Sequence, residues 1–153
     1  MVKKSIWGPI IWKMLHCISI KIKDENFSSE KDALIKLISD ICNNLPCPMC
    51  RIHAVGMLKK YNINSIKNKP EFIKFIWFIH NEVNKRLKQN IFEFENVNKT
   101  YEKENFKEVC TTYYNMMNNI KFSEKMMLNS FHRKEHVKKF KIYIISNIDK
   151  FNN

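Results

Sequence analysis

Leu45-Pro46-Cys47-Pro48-Met49-Cys50-Arg51-Ile52-His53 sets two cysteines two residues apart where a helix opens. Pro48 has no N–H and its φ is already helical, so it suits the first helical position. That leaves Cys47 at the cap and Cys50 in the first turn. The unpaired N–H groups and the positive end of the helix dipole favour a thiolate there, which lowers a cysteine pKa and makes it reactive. On this reading Cys50 carries the stabilised thiolate. A C-x-x-C so placed serves either as a redox disulfide or as half of a metal site. With Cys42 and His53 the stretch also reads C-x4-C-x2-C-x2-H, four good zinc ligands within twelve residues.

A chain of 153 residues fits one domain with a real core. Hydrophobic residues are 44% and aromatics 12%, which excludes wholesale disorder. Two glycines, four prolines and little β-branched alternation point to helices joined by short connections. No apolar run approaches the roughly 20 residues that span a bilayer. Lys3 and Lys4 lead into a segment broken by Gly8, Pro9, Lys13 and His16, which does not read as a signal peptide. A soluble protein is expected. The net charge of +12 would suit nucleic acid or another acidic partner. The abundance of Lys, Asn and Ile gives the blander reading of a solvated basic surface. No nucleic-acid motif accompanies the charge, although the basic stretch 121–150 would be its seat.

Apolar spacing predicts a first helix over Pro9 to Ile22 and a second over Glu30 to Asn43, with Ser28 as its cap. A third carries the cysteine pair to about Lys60, and 62–69 reads as a loop. The fourth, Pro70 to Gln89, has two sides. Phe72, Ile76, Ile79, Val83 and Leu87 cluster on one, and Trp77, His80, Asn81, Asn84 and Lys88 on another. A stripe of His and Asn flanked by Trp is unlike a solvated face, and it suggests a large, partly aromatic ligand. Beyond it, Asn98 to Asn119 reads as one helix, with Tyr101, Phe106, Val109, Cys110 and Tyr113 as buried positions. Ser123 to Asp149 reads as a further basic helix or two, carrying Arg133, Lys134, Lys138, Lys139 and Lys141. The expected class is all-α, a helical bundle with C-terminal helical additions.

Three stretches stand together: Trp7-Gly8-Pro9-Ile10-Ile11-Trp12-Lys13-Met14-Leu15-His16, Cys47 to His53, and His80-Asn81-Glu82-Val83-Asn84-Lys85-Arg86-Leu87. In order and spacing they resemble the Erv/ALR family of FAD-dependent sulfhydryl oxidases, with its patterns G-R-x-x-W-x-x-L-H, C-x-x-C-x-x-H and H-N-x-V-N-x-x-L-G-K. The resemblance implies a four-helix bundle that holds FAD against the C-x-x-C. It assigns residues 1–101 to the oxidase domain and 102–153 to a helical extension packed on or continuing it. It makes Cys47 and Cys50 catalytic, with Cys50 facing the flavin and Cys47 attacked by substrate. Gly8, Trp12, His16, His53, His80, Asn81 and Asn84 fall among the cofactor contacts, with Trp77 nearby. A family aromatic falls on Tyr101, and Lys88 is a candidate phosphate partner.

The activity implied by the resemblance is oxidation of protein dithiols with O2 as acceptor and H2O2 as product. A thioredoxin-like relay and a homodimer are implied partners, with no nucleic acid and no membrane span. The departures are Pro9 for the family's arginine, Lys88-Gln89 for Gly-Lys, Phe94 for a cysteine paired near position 110, and Ile20 and Ile22 for tyrosines. They resemble the short oxidases of large DNA viruses, a source that would place the protein in host cytoplasm or virion. Cys17, Cys42 and Cys110 are open between a shuttle role and buried unreactive thiols. The Trp, His and Asn stripes have work around a flavin and none in a zinc module, which sets the zinc reading second.

Overall fold

From Met14 to Lys21 every side chain of the first helix is buried, histidine, serine and lysine included. A helix covered on all sides is the centre of a bundle. The computed structural model, which describes residues 3–120 and 127–153, builds that bundle from helices alone. The helices are α1 Lys4–Lys21, α2 Asp24–Asn43, α3 Pro48–Lys60, α4 Lys69–Arg86, α5 Asn96–Tyr101, α6 Phe106–Asn118 and α7 Met127–Asn147. α1 packs against α4, α5, α6 and α2, while α2 carries α3 and α7 on its flanks and α7 also leans on α6. The core runs continuously through Ile11, Ile18, Leu34, Ile38, Ile76, Phe106 and Phe140. Among the described residues no helix is long and apolar enough to cross a membrane.

The boundaries differ from the sequence reading in four places, each for a local reason. α1 starts at Lys4, so Pro9 lies inside it. Pro9 is exposed, and removing one ladder donor near a solvated helix end is tolerated. α2 starts at Asp24, six residues before Glu30; Asp24 and Glu25 complement the dipole, and the buried Phe27 packs on Phe72. Ser28 is therefore an exposed position inside α2 and caps nothing. The expected helix from Asn98 to Asn119 is two, because Asn105 accepts the N–H of Glu108 at 3.1 Å and opens α6 afresh. α4 closes at Arg86 with Leu87 as its cap. The buried positions expected on α6 are buried, and Tyr101, at the end of α5, is half-buried. On α7, Lys134, Lys138, Lys139 and Lys141 are exposed as expected, but Arg133 is buried. Residues 123–126 of that expected helix lie outside the described residues.

The far end of the chain is tied to α1. Buried Lys21 donates its ammonium to the carbonyls of Glu102 and Asn153, and Ile22 bridges Phe151. Phe151 stacks on Phe106 at 4.5 Å.

Candidate functional site

α3 opens as its sequence dictates. Cys47 caps it in extended backbone, Pro48 follows, and the Cys47 Sγ accepts the N–H of Cys50 at 3.2 Å. That hydrogen bond splits the pair. Burial would raise Cys47, but hydrogen bonds from the Cys50 thiol and from the Cys50 and Met49 N–H groups hold it below the ordinary thiol value. Burial, the bond to Cys47 and the charge of Cys47 push Cys50 up, opposed by Lys4 and Arg86. The stabilised thiolate of the reduced pair is thus Cys47, the reverse of the sequence reading, because the cap sulfur reaches the free N–H groups first.

Cys50, His53, Ala54 and Met57, spaced as one helix face, form one wall of a cleft of about 980 Å³; Cys47 is not on that wall. The volume lies at the upper end for small-molecule and cofactor sites. Gly8 and Trp12 of α1, His80 and Arg86 of α4, and Tyr101 line the other sides. Trp12, His80 and Tyr101 on the cleft wall belong to a planar ladder whose fourth ring, His16, is fully buried and off the wall. Trp12 stacks on His80 at 4.0 Å and 10°, and His16 stacks on Tyr101 at 4.4 Å and 9°. The two histidines join through His16 Nε2 and His80 Nδ1 at 2.9 Å. One proton serves that bond, so the two rings cannot both be imidazolium. Burial, followed by the charge of His80, lowers His16 to about 3, and burial lowers His80 to about 4. His16 Nδ1 is buried with no partner.

The other half of the α4 stripe goes elsewhere. Trp77 Nε1 donates to the Phe92 carbonyl at 2.6 Å, and Asn81 Nδ2 to the same oxygen at 2.8 Å. Asn81 Oδ1 accepts the Phe92 N–H at 2.9 Å and an amide hydrogen of Asn84 at 3.2 Å. These three residues clamp the segment after α4, and none of them is on the cleft wall. Lys88 is exposed and also off the wall; its neighbour Gln89 is on it. Sequence reading missed the cations at the cleft, Lys4, Lys13 and Arg86, and the acid Glu104, which pairs with Lys13 at 3.3 Å. Arg86 stands two turns after Ile79 on one face, so helical counting could have found it.

Cys17, Cys42 and Cys110 are buried, and burial is the first cause pushing each up to about 12. Such thiols are unreactive at neutral pH. Among the described residues no group of three or more His, Cys, Asp or Glu side chains gathers to hold a metal, so Cys42, Cys47, Cys50 and His53 do not form the zinc site their spacing allowed.

The sequence model of the Erv1/Alr family matches residues 9–107, from the first half of α1 to the start of α6. The chain belongs to the Erv1/Alr family. Its matched stretch contains Trp12, His16, the C-x-x-C, His80 and Tyr101, most of the gathered site. Among curated relatives, an FAD-linked sulfhydryl oxidase of African swine fever virus (isolate Pig/Kenya/KEN-50/1950) is 36% identical over 96 residues, 63% of this chain and 80% of that one. A putative FAD-linked sulfhydryl oxidase, 347L, of Invertebrate iridescent virus 6 is 31% identical over 92 residues, 56% of this chain and 83% of its own. The FAD-linked sulfhydryl oxidase ERV2 of Saccharomyces cerevisiae is 28% identical over 101 residues, 66% of this chain and 50% of that one.

Proposed function

We propose that this chain is an FAD-dependent sulfhydryl oxidase that makes disulfide bonds in protein dithiols. One observation carries the reading: the C-x-x-C is divided, with Cys50 on the cleft wall and Cys47 off it at the helix cap. The cleft suits the cofactor by its own chemistry. It has planar aromatic and imidazole walls in Trp12, His80 and Tyr101, and the cations Lys4 and Arg86 for a diphosphate, beside Lys13, which Glu104 pairs. Trp12, His53, His80 and Tyr101 would hold the ring systems. His16 and Gly8 back them, and Trp77, Asn81 and Asn84 fix the segment that frames the cleft. Residues 1–101 then form the oxidase domain and 102–153 continue it through α6, which packs on α1.

In the working cycle a substrate thiolate attacks Sγ of Cys47 in the oxidised pair. A mixed disulfide forms, and Cys50 leaves with the bond's electron pair. The second substrate thiolate attacks its partner sulfur and releases Cys47. The N–H of Cys50 stabilises that leaving thiolate, which speeds the exit. The substrate has lost two electrons and two protons, and the pair has gained them. Bound FAD supplies the remaining chemistry by taking the electrons from the pair and passing them to O2 to give H2O2. Neutral His16 and His80 keep positive charge off the ladder at neutral pH. The substrate is a protein dithiol, reached directly or through a thioredoxin-like relay. The test is flavin content and oxygen uptake with dithiothreitol. About one flavin per chain is expected, with turnover lost in Cys47→Ser and in Cys50→Ser. Protein that carries zinc and no flavin, or full turnover in either variant, would sink the proposal.

A further inference from the structure

On another side of α3 a second, polar cavity of about 330 Å³ lies between the end of α2, the first turn of α3, and α7. Asn43 and Asn44, Arg51, His132, His136 and Lys139 line it, together with two acids. Both acids have cations of their own: Asp40 accepts from Lys36 at 3.2 Å, and Glu135 lies 3.9 Å from Lys138. His136 Nε2 is joined to the Tyr113 hydroxyl at 2.7 Å. Arg133, on α7 beside His132, is 6% exposed, and its Nε has no partner. Burial and then the charge of Arg51 hold Arg133 below its ordinary pKa, opposed by Tyr113, so the two guanidiniums lie in each other's field. Among the described residues neither arginine has a carboxylate within 4.0 Å. Arg133 is not itself on the pocket wall, but Arg51 is, and an anion held there by Arg51 would also lower the positive field at Arg133.

The position gives the anion its meaning. Arg51 stands one turn after Cys47 on the same face of α3, and its N–H bonds the Cys47 carbonyl at 3.0 Å. The α7 wall lies beyond the residues 9–107 that the family model matches. We propose that this pocket receives a carboxylate side chain of the dithiol substrate, docking proteins that carry Asp or Glu near the reactive cysteine with that sulfur over Cys47. Arginine's planar fork matches a carboxylate with two parallel hydrogen bonds, and the single turn between Cys47 and Arg51 sets the register. The proposal rests on the oxidase reading.

The test uses the full flavin-loaded chain and two fluorescent peptides with serines in place of cysteines, one with Glu beside the serine and one with Gln. Anisotropy should show the acidic peptide binding about tenfold more tightly, the value of one charge-assisted bond. Arg51→Gln should bring the two within about twofold, and Arg51→Lys should restore part of the gap. Circular dichroism checks that both variants fold. The dithiol forms of the peptides should show the same preference in kcat/KM, and the same loss of it in Arg51→Gln. Equal binding of the two peptides by the unaltered protein, or a preference that survives Arg51→Gln, overturns the proposal. So does displacement of the acidic peptide by millimolar inorganic phosphate while both dithiols are oxidised at one rate, which marks a general anion site. Acid-selective binding with no oxidation of any dithiol overturns the oxidase reading, and the substrate role with it.

Discussion

At the scale of single residues, Cys47 and Cys50 differ in who receives a hydrogen bond, and reactivity should follow. In the reduced protein near neutral pH, iodoacetamide should alkylate Cys47 before Cys50, as read by mass spectrometry. In Cys47→Ser, burial should still hold the alkylation midpoint of Cys50 above that of a free thiol. Adding Arg86→Gln should move it further up, because Arg86 is one of the two charges that lower it. Faster alkylation of Cys50 in the unaltered protein would reverse the assignment. Gly8 gives a second expectation. A Cβ there would meet nothing within 4 Å beyond its chain neighbours and its own helix backbone, and glycine inside a helix costs up to about 1 kcal/mol against alanine. Gly8→Ala should therefore raise the melting temperature of flavin-free protein, while Gly8→Leu, reaching into the cleft, should lower flavin retention. Unchanged retention in Gly8→Leu would place the ligand away from α1. Much of this arrangement was legible, because Trp12, His16, Cys50 and His80 each stand at a fixed count within a motif, and Tyr101 was reached by counting on beyond the last of them. Which side of α4 meets the cleft was not, since an amide stripe looks the same whether it faces a ligand or a neighbouring backbone, as Asn81 and Asn84 do.

At the scale of elements, the end of α4 carries a local conflict. The N–H of Gln89 bonds the Asn84 carbonyl at 2.8 Å, and that of Lys88 bonds the Lys85 carbonyl at 3.1 Å. This is a Schellman closure, and it puts Lys88 at φ 56°, a left-handed position that suits glycine. The Gly-Lys of the family pattern thus has a backbone reason, and this chain departs from it at a cost. Lys88→Gly should stabilise the protein by about 1 kcal/mol, a rise of roughly 3 °C in melting temperature. A fall would mean that the lysine side chain makes a contact worth more than the strain. The helix starts were the least legible part of the fold. Asp24 and Glu25 serve at an N-terminus without a side-chain cap, which leaves less signal than Ser28 seemed to offer. α1 hid its faces because it is buried on every side from Met14 onward, so no single stripe marks its length.

At the scale of the molecule, three histidines are held neutral in separate parts of one core. His16 and His80 sit in the ladder, and His136 is 5% exposed between α6 and α7, bonded to Tyr113. Burial, as the first cause, lowers His136 to about 4, with His16 at about 3 and His80 at about 4. Unfolded, each returns to about 6.5. Below that pH the unfolded chain binds protons that the folded one refuses, so the stability these groups contribute is complete above pH 6.5. It is lost as pH falls toward their folded values. Between pH 6.5 and 5.5 each fully buried histidine should remove about 1 kcal/mol. Carboxylates hardly titrate in that interval. Melting temperatures of flavin-free protein should thus be level from pH 7.5 to 7 and fall steadily from 6.5 to 5.5. A His136→Gln variant, which can still accept from Tyr113, should show a shallower fall because one of the three protons is no longer taken up. A melting temperature that is flat over this interval, or that rises as pH falls, would mean that the folded protein takes up these protons as readily as the unfolded chain. The neutral state argued for His16, His80 and His136 would then be untenable.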